Sequence, residues 1–304
     1  MTDGGLDVVT GAFSYSGAAI ARAVEASGRR VRTLTGHPER APAGTGIDVR
    51  SLAFDDPPAL VESLRGVRTL YNTYWVRFAK GRIDHNAAVA NSTTLFDAAR
   101  TAGVQRIVHV SITHPSLESP YPYFRGKAEV ERALAQTGVS HAVLRPAILF
   151  GGNGVLVNNI AWLLRRLPVF AVGGSGVYRI RGIHIDDLAG LCVAAGSANG
   201  NTTIDAVGPE RPTFREMVDA IRRAVGSRAR IVAVPGALVP PMSEVLGLVL
   251  RDRLLTRDEY HAMADGLADT DGPPTGQIAF SDWLAASKDT LGRHYANELR
   301  RHFR

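Results

Sequence analysis

A chain of 304 residues that is 45% hydrophobic and 21% charged has the composition of a folded globular protein and excludes a disordered one. Its net charge of +6 comes from scattered arginines without a basic tract interleaved with aromatics. That pattern argues against a nucleic-acid binder and fits a protein that holds a phosphorylated small molecule. The single cysteine, Cys192 in the run LAGLCVAA, excludes an intrachain disulfide, fits a reducing cytoplasmic setting and reads as a small buried hydrophobe.

The opening MTDGGLDVVT lacks the basic-then-apolar order of a signal peptide. LDVVT reads as a first strand and SGAAIARAVEASG as the helix after it. The turn between them, Gly11-x-x-Ser14-x-x-Gly17, follows a strand and opens a helix, as dinucleotide-binding loops do. Gly11 makes the tight turn and Gly17 lets helix and strand pack closely. Ser14 stands where a glycine normally lets backbone approach a pyrophosphate; its hydroxyl offers a phosphate donor instead.

RVRTLT is the second strand. No acid stands at Thr35, Gly36 or His37, while His37 and Arg40 offer positive charge suited to a 2′-phosphate. IDVRSLAF is a third strand, closed by Asp55, which either accepts from an adenine amino group or caps the helix ALVESLRG. VRTLYNTYW is a fourth strand, NAAVANSTTLFDAARTAG a long helix, VQRIVHVSIT a fifth strand, YFRGKAEVERALAQTG a helix and SHAVLRPAILFG a sixth strand. This alternation predicts a doubly wound parallel α/β sheet. Ligands of such sheets sit beyond the carboxyl ends of the strands, the edge on which Gly11, Asp55, Asn72, Ser111 and Gly151 are expected. After Gly151 the alternation fails, so a small, mostly helical cap is expected. Residues 1–152 and 176–207 form the cofactor domain in this reading, and 153–175 and 208–304 a substrate-binding cap. The apolar VPGALVPPMSEVLGLVL is interrupted by prolines and a glutamate, so it is expected to be a packed helix and not a membrane span. A pocket lip or a monotopic membrane contact is the alternative.

Tyr123 and Lys127 stand four residues apart on one helix face. A phenol is a poor base at neutral pH, and an ammonium beside it favours the phenolate. Tyr123 is therefore the candidate acid/base and Lys127 its partner, with Ser111 and Thr113 orienting a substrate oxygen. Tyr121, followed by Arg125, is a poorer match. Trp75 and Arg77, after the fourth strand, suggest an apolar substrate with one anionic or polar end, and His184 is a further pocket candidate.

Together these residues resemble the short-chain dehydrogenase/reductase superfamily in its extended and atypical branches, the NAD-dependent epimerase/dehydratase and NmrA-like proteins. TGAFSYSG stands for the glycine loop, YFRGK for Tyr-x-x-x-Lys, LRPAILFG and IHIDDLA for two later segments, and Asn91 for an asparagine in the fourth-strand helix. The chain is also similar to atypical members related to the nucleotide-binding accessory subunit of complex I. The resemblance implies a Rossmann-type fold and an NAD(P)-dependent oxidoreductase or epimerase that transfers hydride at a carbonyl or alcohol. NADP(H) is the preferred cofactor and NAD(H) is compatible. The cofactor set is Gly11, Phe13, Ser14, Tyr15, Gly17, His37, Arg40, Asp55, Asn72, Lys127 and Pro146, with no metal. Ile180 replaces the arginine of sugar-nucleotide epimerases, with Arg179 and Arg181 on either side, which argues against a nucleotide sugar. The partner is a small-molecule substrate, with neither nucleic acid nor stable membrane insertion; a homodimer is compatible. The competing function is a non-catalytic NADP-binding redox sensor or assembly factor.

Overall fold

β-Branched residues fill the first strand, β1 (Leu6–Thr10), whose interior positions are buried. The computed structural model describes residues 5–78, 83–152 and 154–299. After β1 come α1 (Tyr15–Ala26), β2 (Arg30–Thr35), β3 (Asp48–Ser51), α2 (Pro57–Ser63), β4 (Val67–Asn72) and α3 (His85–Thr101). Then follow β5 (Arg106–Val110), α4 (Pro122–Gln136), β6 (Ser140–Pro146), β7 (Ile148–Phe150), α5 (Val155–Leu164), β8 (Val169–Gly173) and β9 (Gly182–His184). The last elements are α6 (Ile185–Ser197), β10 (Thr202–Ala206), α7 (Phe214–Ala224), β11 (Arg230–Val234), α8 (Val239–Leu250), α9 (Arg257–Ala264) and α10 (Phe280–Ser287).

The chain divides into two compact units. The first, residues 1–146 and 185–206, carries a seven-stranded sheet in the order β10-β6-β5-β4-β1-β2-β3. All its pairings are parallel, so the fold is the expected doubly wound α/β sheet. Val8, Leu34, Leu70, Ile107 and Val143 of the strands form one core with Leu60, Phe96, Val130 and Leu134 of α2, α3 and α4. Asp7 is buried at the base of the sheet, bonded by Arg29 Nη1 at 2.8 Å and the Thr69 amide at 3.2 Å. Cys192 is fully buried, and burial pushes its thiol up to about 12, so it is inert as a nucleophile.

The strand read as continuous through Gly151 breaks after Pro146. Pro146 is the last residue of β6 in register with β10, and Ala147 begins the second unit. β7 pairs instead with β9, so Gly151 and residues 176–184 group with the second unit and not with the main sheet. β10 is a seventh strand not foreseen in the sequence. The second unit, residues 147–184 and 207–304, is mostly helical, with the short pairs β7–β9 and β8–β11. Its core joins Phe150, Val157, Ile160 and Leu164 to Met217, Ile221, Phe280 and Leu284. Arg181 is buried there and donates to the carbonyls of Gly208, Thr270 and Gly272. Arg179 donates to the Arg211 carbonyl at 2.7 Å.

Candidate active site

Gly11 adopts φ 64°, which an L side chain rarely takes, and its amide donates to Leu34 O at 2.8 Å. Gly17 is the tighter position: a Cβ there would lie 2.1 Å from Gly11 O and 2.7 Å from its carbonyl carbon. Ser14 caps α1, accepting from the Gly17 amide at 3.3 Å. That bond uses the hydroxyl oxygen and not its hydrogen, which keeps a donor at the helix start. Phe13 and Ser14 are exposed and Tyr15 is half-buried. We expect Gly17→Ala to lower the melting temperature by about 4–10 °C, since overpacking against backbone costs about 1–3 kcal/mol. Thermal denaturation checks this against Gly28→Ala, where no atom lies within 4 Å of the added Cβ and only the φ of 82° opposes it. Equal losses in the two variants would refute the packing role.

The end of β2 differs from the sequence expectation in one respect. His37 Nδ1 lies 3.2 Å from a Glu39 carboxylate oxygen and Arg40 Nε 3.6 Å from the same atom. An acid therefore stands between the two residues read as a phosphate site. Bonding to its own backbone amide is the main influence holding the Glu39 carboxyl below its usual range. Asp55 is exposed, and the α2 cap is Asp56, accepting from the Ala59 amide at 3.1 Å. The capping alternative for Asp55 is thereby excluded.

Asn72 ends β4 fully buried. Its Oδ1 accepts from Thr10 Oγ1 at 3.3 Å and the Tyr74 amide at 3.0 Å, and its Nδ2 meets His109 Nδ1 at 3.1 Å. The two donors on Oδ1 fix the amide's orientation, so His109 Nδ1 is the acceptor and Nε2 carries the proton. Burial, reinforced by Lys127, holds His109 well below its usual range and hence neutral. Asn72 acts as a tie between strands; its polar atoms are already engaged. Asn91 donates to the Tyr74 hydroxyl at 2.8 Å, tying α3 to the segment after β4.

Tyr123 sits in the first turn of α4 and Lys127 one turn on, as the spacing requires. Lys127 is only 2% exposed, and its ammonium donates to Val110 O at 2.9 Å. Burial drives its pKa down to about 7. The Trp75 ring lies 4.6 Å from Lys127 Nζ and meets Tyr123 edge-on at 5.6 Å. Gly126 makes room for it, since a Cβ there would be 2.9 Å from Trp75 Cη2. Ser111 and Thr113 continue the β5 ladder, their amides donating to Leu144 O at 2.7 Å and Pro146 O at 3.1 Å. Alternate donors place both on one side, and both are buried. The Ser111 hydroxyl has no hydrogen-bond partner among the described residues.

Sequence reasoning missed His85. Its ring stacks on Trp75 at 5.8 Å and 6° and meets Tyr123 edge-on at 5.6 Å. Trp75 Nε1, His85 Nε2, His109 Nε2 and Ser111 Oγ are all buried without a partner among the described residues. Each such atom costs about 1–3 kcal/mol. Trp75, His85 and Ser111 among them lie beyond the carboxyl ends of β4 and β5, the edge where ligands of doubly wound sheets sit. No motif marks His85, because it reaches Trp75 only through the turn from β4 into α3.

The Arg77 guanidinium stacks over Phe78 at 4.6 Å. Pro146 ends β6. His184 belongs to the second unit, where it packs edge-on to Phe150 at 5.4 Å and beside Trp283 at 6.5 Å.

The NmrA-like family matches residues 7–156. The match spans just under half of the chain, and over these residues the chain is similar to NmrA-like proteins. Its relatives include a ceramide reductase of Caulobacter vibrioides, 26% identical over 93% of this chain and 95% of that protein. Subunit 9 of the mitochondrial NADH dehydrogenase 1 alpha subcomplex of Arabidopsis thaliana is 24% identical over 53% of this chain and 40% of that protein. Among solved structures, triphenylmethane reductase of Citrobacter sp. superposes with a TM-score of 0.76 at 17% identity, covering 94% of this chain and 99% of that one. The Escherichia coli quinone oxidoreductase QOR2, complexed with NADPH, gives 0.73 at 20% identity, covering 92% and 99%. These likenesses reproduce the doubly wound sheet with its mostly helical C-terminal region.

Proposed function

We propose that this protein is an NADP(H)-dependent oxidoreductase acting at the carbonyl or alcohol of a small, partly apolar substrate. The observation that carries the reading is the Lys127 ammonium, buried one turn from Tyr123 and bonded to Val110 O beside the unpartnered Ser111 hydroxyl. The glycine loop fits a dinucleotide, because α1 starts against Gly11 with no space for a side chain at Gly17. NADPH, when bound, supplies a hydride. Tyr123 then gives its proton to the carbonyl oxygen, Ser111 donates a hydrogen bond to that oxygen, and Thr113 lines the same side. Lys127 positions ribose hydroxyls and Tyr123, and Trp75 and His85 give the substrate an aromatic wall. Arg77 meets its polar end. Relatives named as reductases support the reductive direction.

A second reading, a cofactor-binding sensor without turnover, is favoured by Trp75 lying directly against Lys127 and Tyr123. Turnover with a carbonyl panel separates the two.

The first experiment is a titration with NADPH and NADH. NADPH is expected to bind about tenfold tighter, a difference of about 1.4 kcal/mol. Arg40→Ala should remove most of that preference, and Glu39→Gln should increase it by taking a carboxylate from beside the 2′-phosphate. Equal binding of the two cofactors, unaffected by either variant, would disprove the assignment; absence of binding would overturn the whole proposal.

A further inference from the structure

Helix α8 in the second unit leaves an aliphatic face exposed. The sequence predicts a packed helix, yet of its twelve residues only Pro240 and Gly247 are buried. Its inward side joins half-buried Val239, Leu246 and Leu250 to Pro240, Ser243 and Gly247. Ser243 Oγ bonds both the amide and the carbonyl of Leu255, and a Cβ on Gly247 would lie 2.6 Å from Asp252 O. The opposite side is aliphatic: Val245 is 63% exposed, Leu248 80% and Val249 76%, with Leu238 and Met242 also exposed. Stepped at about 100° per residue, these five side chains form one stripe along the helix. The two prolines sit in the first turn, where the absent N–H groups have no acceptor within the helix to lose. Glu244 is the one charged residue of the helix and lies at the flank of the stripe.

We propose that α8 is an interfacial anchor that docks the protein on an anionic bilayer surface. The charge beside the stripe suits that partner: exposed Arg251 and Arg253 follow directly, while Asp252 between them is buried and spent on Tyr295 and the Glu298 and Leu299 amides. An aliphatic stripe with adjacent arginines supplies the two signals that reversible membrane binding takes. The extent of the face argues against a second copy of the chain. Five side chains on one helix expose roughly 300–500 Å², short of the roughly 800 Å² per partner that a stable dimer buries. Bilayer spanning is a different matter: among the described residues no helix is long and apolar enough to cross a membrane. This docking does not depend on the catalytic reading.

The test is co-sedimentation of the full chain with vesicles of phosphatidylcholine alone or mixed with phosphatidylglycerol. Binding to the mixed vesicles is expected, weakened by salt and reduced at least about tenfold in L248E/V249E, since two aliphatic anchors become charged. That variant should keep the parent melting temperature, because both positions face away from the protein. Val245→Trp should bind at least as well and shift its emission to shorter wavelength when vesicles are added. Failure to pellet with either vesicle would overturn the proposal. So would undiminished binding of L248E/V249E, or a native dimer that L248E/V249E dissociates, which would assign the face to self-association.

Discussion

Tyr123→Phe is expected to reduce turnover of an accepted carbonyl substrate roughly 10²–10⁴-fold, the usual worth of a positioned proton donor. The phenol is the proposed proton source, and phenylalanine keeps its ring contacts: the edge-on packing against Trp75 and His85 and the contact with Phe124. NADPH affinity should therefore change by no more than about twofold, and the loss should fall on kcat with KM nearly unchanged. Steady-state kinetics with a fluorescence titration of the cofactor measures both. A variant that retains parental turnover would remove the acid/base role from Tyr123 and turn attention to His85, whose imidazole lies in the same ring cluster. No turnover in either protein, with intact NADPH binding, is the signature of the sensor reading.

The N-terminal sheet was legible because each element carries its own period. LDVVT and RVRTLT are short β-branched runs, while NAAVANSTTLFDAARTAG repeats its apolar positions at helical spacing. Tyr123 and Lys127 share a face because four residues make about one helical turn. What the sequence hid was tertiary. SHAVLRPAILFG reads as one strand, but Pro146 is its last residue in the sheet and the remainder pairs in the other unit. TTIDA is too short and polar to announce the seventh strand. Glu39 is obscured in the sequence by the cations on either side of it, and Asp55 competes with its neighbour Asp56, which holds the cap. His85 entered the site through its stacking on Trp75, a contact that the unassuming start of α3 does not advertise. Helix α8 misled most, since apolar composition states only that a surface avoids water and not which surface covers it.

Lys127→Met should abolish tight cofactor binding and yet make the protein more stable below pH 7, by about 1–3 kcal/mol. The lysine pays heavily for its position. Burial lowers its pKa from 10.5 to about 7, so at pH 6 the folded state carries an ammonium that would be better solvated in the unfolded chain. Coulombic attraction to Glu131 offsets part of that cost. Methionine matches the aliphatic stem and removes the charge, leaving Val110 O without its donor at a cost of about 1 kcal/mol and ending the cation–π contact with Trp75. The sign with pH follows from proton counting. Below pH 7 both states of the parent hold the proton and the penalty is complete. Between about 7 and 10.5 the unfolded chain holds a proton that the folded protein has released, so parental stability rises with pH. The advantage of the methionine variant should thus shrink by up to about 1.4 kcal/mol per pH unit through this window. Urea unfolding of both proteins at pH 6, 7.5 and 9 measures it. A difference that stays flat with pH would mean Lys127 titrates as an ordinary lysine, and a parent more stable at pH 6 would mean its ammonium is compensated by groups beyond Val110 O and Glu131. The Val110 carbonyl, the Trp75 ring and Glu131 offset only part of the cost of that charge. Under the proposed function, a cation held there against its own solvation would meet an anionic, hydroxyl-rich ligand.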